Sequence, residues 1–167
     1  MVARLTLIAA VCALSVLPAH AEPEGSLARG SQLQHRLFKA LDNASTVTVI
    51  EHGNLVDVPS DKNYVPPIYA KIVLNAKQIQ ALRYALPVTK DRSRDMRLDC
   101  IFDDHHAVVI REKNGDELTL NLCFVCGELS LDHDDERVMP DGWADSLSHF
   151  IASLGMHPDG PWPLPHH

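Results

Sequence analysis

The chain has 167 residues, with 15 basic and 22 acidic side chains and a formal net charge of −7 at pH 7. Nucleic acid and anionic membranes repel a protein of this charge, so they are excluded as partners, whereas cationic proteins and metal ions are favoured. The length suits one compact domain that buries a core of its own, so disulfides are not needed for folding.

The N-terminus has the pattern of a signal peptide over residues 1–21. Arg4 provides a positive start, Leu5 to Leu17 form a short apolar run, and Ala19-His20-Ala21 is an A-x-A cleavage site. The run is too short to span a bilayer, so we expect cleavage after Ala21, no membrane anchor, and a periplasmic or secreted protein. Lipidation at Cys12 is the minor alternative. The removed segment holds one arginine and no acid, so the mature chain carries −8.

The remaining sequence predicts a single α+β domain over residues 31–156. Residues 22–30 are expected to be a disordered lead-in, and residues 157–167 an irregular, proline-rich tail. Apolar periodicity predicts three helices, at 31–41, 76–86 and 143–154. Runs rich in β-branched residues predict strands, at 46–50, 55–58, 68–74, 98–102, 107–112 and 117–124. An acidic loop is expected at 131–136. The order of elements favours one antiparallel sheet covered by about three helices.

Asn114-Gly115 predicts a β-hairpin at the centre of this sheet. A two-residue type I′ turn pairs His106 with Cys123 and His105 with Phe124. The predicted core face is apolar and holds Ala107, Val109, Leu118, Leu120, Leu122 and Phe124. The predicted opposite face holds His106, Val108, Ile110, Thr119, Asn121 and Cys123. A register slip of one residue would exchange the two faces, so the register decides which histidine meets the cysteines.

Cysteine and histidine residues around this hairpin form the main candidate site. The mature chain keeps three cysteines, which cannot all pair with one another. We expect Cys123-Phe124-Val125-Cys126-Gly127 to turn as a knuckle, with Gly127 at positive φ. Together with the hairpin this predicts a metal site whose ligands are Cys100, His105, His106, Cys123 and Cys126. Zinc is the default ion for such a set, and copper(I) is its rival.

A structural interpretation stands beside the metal site. It consists of a Cys100–Cys123 or Cys123–Cys126 disulfide, a buried free thiol, and histidines in ordinary hydrogen bonds. Redox catalysis by Cys123 and Cys126 is disfavoured because such motifs normally open a helix, and this one ends a strand. A Cys123 nucleophile with His106 as base and Asp103 or Asp104 as orienting group is weaker still, since no oxyanion element is visible.

Residues 98–127 resemble a group of small secreted bacterial proteins of unknown function. The shared features are a cysteine, a His-His pair that begins a strand, an Asn-Gly or Asp-Gly turn, a second strand, and C-F-x-C. The group often has proline before the histidines, where this chain has Asp104. The resemblance implies a bacterial envelope setting and a reused cysteine–histidine core, and it implies no activity.

Two functions follow from the sequence. The first is an exported non-catalytic domain that holds zinc or copper at the Cys/His cluster, structurally or as cargo. The alternative is a periplasmic inhibitor or immunity-type protein that binds a basic toxin or hydrolase, with the cysteines as a disulfide; the acidic charge and residues 131–136 motivate it. Enzyme activity is the third choice, because no catalytic set is evident.

Overall fold

A computed structural model describes residues 25–53, 66–87, 101–132 and 134–160, with the backbone alone for 25–31 and 134–138. The described residues form three helices: α1 (Gly25–Asn43), α2 (Ala76–Tyr84) and α3 (Trp143–Ser153). They also form six strands: β1 (Ala44–His52), β2 (Ile68–Val73), β3 (His106–Glu112), β4 (Glu117–Cys123), β5 (Glu128–Leu131) and β6 (Asp134–Val138). The strands make one antiparallel sheet in the order β2-β1-β3-β4-β5-β6. This confirms the predicted α+β class with a single antiparallel sheet and three helices.

Several boundaries differ from those expected. Helix α1 begins at Gly25, so the described part of the expected lead-in is helical. The expected acidic loop at 131–136 is wrong, because β5 and β6 pair there and turn tightly through Asp132 at φ +53. Residues 101–105, which include the end of a predicted strand, have no regular structure. The signal peptide, the predicted strand at 55–58, Cys100 and most of the tail lie outside the described residues.

The hairpin between β3 and β4 uses a three-residue connection instead of the expected two-residue turn. Glu112 N donates to Asp116 O at 2.8 Å, and Gly115 has φ +96. A three-residue loop that ends in a left-handed glycine is the next commonest hairpin connection after the two-residue turns. The register therefore shifts by one residue, and His106 pairs with Leu122. The predicted pairing of His106 with Cys123 is wrong.

This register decides which face of the sheet meets the helices. The core face is apolar over most of its length and holds Val47, Val49, Val108, Ile110, Leu118, Leu120, Leu122, Leu129 and Leu131. All three helices contribute buried side chains to the same core, among them Leu37, Leu82 and Leu147. The predicted core residues of β4 are thus confirmed, whereas for β3 the faces are exchanged. Ala107 and Val109 lie on the outer face.

Among the described helices, none is both long enough and apolar enough to cross a membrane.

Candidate functional site

Buried polar side chains concentrate at one end of the sheet, where β1 and β4 finish and β3 and β5 begin. Six of the seven buried polar residues that the structure describes lie at or next to this end: Glu51, His105, His106, Asn121, Glu128 and Ser130. The buried thiol of Cys123 lies among them, and we call these seven residues the strand-end cluster. Burying polar groups costs free energy, and perturbed titratable groups gather at functional sites, so this cluster is the candidate site.

On the core face, Glu51 of β1 lies directly opposite His106 of β3. The Glu51 carboxylate accepts from the His157 backbone N–H, and its Oε1 lies 3.2 Å from the His157 ring. The His106 ring packs edge-on against Phe124, with 5.4 Å between centroids. Burial, together with the nearby charges of His105, His52 and His157, lowers the pKa of His106 to about 3. The His106 imidazole is therefore neutral at neutral pH.

On the outer face, Cys123 pairs with Glu128, and the Asn121 side chain donates to the Ser130 hydroxyl at 3.2 Å. The Cys123 sulfur accepts from the backbone N–H of Asp103 and from that of Cys126, the latter at 3.4 Å. Gly127 has φ +62, as the expected knuckle requires. Burial raises the pKa of the Cys123 thiol against the effect of these two donors. A buried, protonated thiol is a poor nucleophile, which weighs against cysteine catalysis.

Cys126 is disulfide-bonded, whereas Cys123 is free. Both disulfides considered from the sequence, Cys100–Cys123 and Cys123–Cys126, include Cys123 and are therefore wrong. The partner of Cys126 lies outside the described residues. Its Sγ is 3.1 Å from the carbonyl oxygen of Ile101, a close contact without a hydrogen bond because a disulfide sulfur carries no proton. After the expected cleavage behind Ala21, Cys100 is the one cysteine of the sequence besides Cys123 and Cys126.

The predicted metal ligands are separated by this geometry. His106 lies on the core face and Cys123 on the outer face, and Cys126 is held in a disulfide. Continued one residue beyond the start of β3, the register would place His105 opposite Cys123, and the His105 Nδ1 lies 3.8 Å from Asp103 Oδ2. Within the ranges that the structure describes, no three His, Cys, Asp or Glu side chains are grouped to hold a metal ion. The metal site stays a prediction, since Cys100 lies outside those ranges.

Sequence reasoning missed Glu51, Glu128, His52 and His157. Glu51 could have been found from the sequence. Val47, Val49 and Glu51 share one face of a strand, and Glu51 is a charged residue where the alternation predicts an apolar one. His157 could not, because its contact with Glu51 spans 106 positions of the chain.

No protein-family model, curated protein or solved structure matches this chain. The chemistry of the strand-end cluster and of the surface beside it is therefore what bears on function.

Proposed function

We propose that this protein is an exported, non-catalytic binding protein of the inhibitor or immunity type, whose target is a basic toxin or hydrolase. The observation that carries the proposal is an exposed apolar surface at the Cys126 disulfide. Ile101 and Val125 are 72% and 68% exposed, and Cys126 adjoins both, next to Val125 in the chain and in contact with the Ile101 carbonyl. We call Ile101, Asp103, Asp104 and Val125 the strand-end patch.

The composition of this patch fits a cationic partner. Asp103 and Asp104 follow Ile101 within three residues of the chain and are partly exposed, so acidic groups occur close to Ile101 in the sequence. An apolar centre with a charged rim is the usual anatomy of a protein interface, in which the centre provides affinity and the rim selects the partner. The acidic charge of the whole chain would add long-range attraction for a basic protein and repel an acidic one.

Covalent and hydrogen-bonded contacts hold the patch in place. Cys126 is disulfide-bonded, the Asp103 N–H donates to the Cys123 sulfur, and the His105 carbonyl accepts from His52 N at 2.9 Å. A surface that is rigid before binding loses little entropy in the complex. The disulfide also supports the export part of the proposal, because disulfides persist in oxidising compartments.

A photoreactive amino acid at position 125 in the exported protein tests this proposal in living cells. The matched control is position 73, since Val73 on the edge strand β2 is 62% exposed. We expect an adduct with a basic protein from position 125 and not from position 73. The identified partner is then purified, and its binding is measured by calorimetry with Val125→Lys and Ile101→Lys. Each should weaken binding by about tenfold or more, as for a central interface residue.

Val73→Lys and Ile68→Lys serve as controls, because both residues are exposed aliphatic side chains on β2. They should leave the affinity within about twofold of the wild type, since isolated surface positions carry little binding energy. An acidic partner, equal adducts at positions 125 and 73, or unchanged affinity of the patch variants would reject the proposal.

Metal binding is a second candidate, and one observation favours it. The backbone N–H groups of Asp103 and Cys126 both point at the Cys123 sulfur, which is how a knuckle prepares a thiolate for zinc or copper. The ratio of metal to protein in native material purified without chelator tests it. About one zinc or copper per chain, lost in Cys123→Ser, would make the cluster a metal site; metal-free protein would exclude it.

A further inference from the structure

Cys123 and Cys126 form one C-x-x-C turn in which the two sulfurs have different bonding states. Cys123 closes β4 and is a free thiol, whereas Cys126, three residues later, is in a disulfide. The turn is tight, because Cys126 N lies 3.4 Å from the Cys123 sulfur and Gly127 N donates to Phe124 O at 3.2 Å. C-x-x-C is the spacing at which redox proteins form disulfides between close neighbours.

We propose that Cys123 is an internal exchange thiol for the Cys126 disulfide. The Cys123 thiolate attacks Sγ of Cys126, a Cys123–Cys126 bond forms, and the bond between Cys126 and its present partner breaks. The partner sulfur leaves as a thiolate and takes up a proton, which balances the proton that Cys123 loses. One disulfide replaces another, so the step consumes no oxidant and no reductant.

The surroundings of Cys123 limit the rate of this exchange. The residue is 1% exposed, so its sulfur is shielded from solvent in the folded protein. Two backbone donors occupy the sulfur, and one of them, Asp103 N, belongs to the segment that carries Ile101. Movement of that segment away from the sheet would uncover the sulfur and remove one donor, so exchange depends on local opening of residues 101–105.

The exchange would change the surface around Cys126 without changing its composition. The present disulfide would no longer stabilise the contact between Cys126 and the Ile101 carbonyl. Cys126 would instead be covalently bonded to Cys123 at the end of β4. This exchange involves only the sulfur atoms of the chain and does not depend on the proposed partner.

Disulfide mapping of the mature, folded protein by non-reducing peptide mass spectrometry tests the proposal. At neutral pH, Cys123 should be the thiol that iodoacetamide labels after unfolding. Incubation at about pH 9 before acid quenching should convert protein to a Cys123–Cys126 form with a new thiol elsewhere, since disulfide exchange proceeds through a thiolate and alkaline pH promotes it. The exchange must proceed without denaturant.

Two variants make the outcome decisive. Cys123→Ala should keep the original disulfide at every pH, because small apolar side chains replace buried thiols readily. Cys100→Ser should leave Cys123 and Cys126 to form the C-x-x-C disulfide in the oxidised protein. Two free thiols in a folded Cys100→Ser variant would overturn the proposal. The same holds if conversion of the wild-type protein occurs only in urea, because exchange would then require global unfolding.

Discussion

His106 links protonation to the stability of the fold. It lies in the core with Glu51 and Leu122 as cross-strand neighbours, and burial lowers its pKa from the ordinary 6.5 to about 3. Between these two values the unfolded chain binds a proton that the folded protein does not, so acidification favours unfolding. The stability that the neutral imidazole contributes is present in full above pH 6.5 and is lost progressively as the pH falls toward 3.

The size of this effect follows from the two pKa values. One pKa unit corresponds to about 1.4 kcal/mol, and the proton difference between the states is close to one across most of the interval. Acidification from about pH 7 to about pH 4.5 should therefore lower the free energy of unfolding by about 2.5 kcal/mol through His106 alone. That loss is a large share of the stability of an ordinary domain, about 5–15 kcal/mol.

Urea unfolding followed by circular dichroism at the two pH values measures this loss. His106→Leu removes the titrating ring and keeps an apolar group beside Leu122, so it should lose about 2.5 kcal/mol less than the wild type on acidification. His149→Leu is the matched control, because His149 is exposed on α3, and it should follow the wild type. Equal losses in the wild type and His106→Leu would refute the reasoning, since His106 would then titrate alike in both states.

Three further predictions concern the fold that positions the cluster. Gly115→Ala should cost about 1–2 kcal/mol in urea unfolding because Gly115 has φ +96, whereas Lys113→Ala in the same loop should change little. Leu147→Ala should cost about 2–5 kcal/mol as a cavity in the core, against less than about 0.5 kcal/mol for the exposed Tyr84→Ala. Asp132→Ala should cost about 1–2 kcal/mol because Asp132 Oδ1 accepts from Thr119 N at 2.8 Å, and Asp132→Asn, which retains that acceptor, should recover most of the loss.

Local signals in the sequence predicted the elements that depend on neighbours within a few residues. Periodicity predicts the second helix at 76–86, and α2 begins at Ala76 after an Asn75 N-cap that forms a capping box with Gln78. The alternation of β4 correctly placed Leu118, Leu120 and Leu122 in the core. Each of these features is decided within one turn or one strand, where spacing and chemistry suffice.

The register of the hairpin was beyond this kind of reasoning. Ala107, Val108, Val109 and Ile110 are consecutive apolar residues, so the pattern of β3 is equally compatible with either face. Only the turn could decide, and Asn114-Gly115 fits both a two-residue and a three-residue connection. A difference of one residue then placed His106 in the core, opposite Leu122 instead of Cys123. The disulfide was likewise undetermined, because spacing alone does not fix which cysteines pair.

The strand-end cluster and the strand-end patch are two parts of one arrangement. Two polar side chains of the cluster hold segments that lie outside the sheet: the Cys123 sulfur accepts from Asp103 N, and the Glu51 carboxylate accepts from His157 N. Buried polar groups of this kind cost stability, as the pH dependence expected for His106 would measure directly. A protein that needed only a stable core would be served better by apolar side chains at these positions. The cost is explained if the segment that carries Ile101 must be held in one conformation, which is what a preformed binding surface requires.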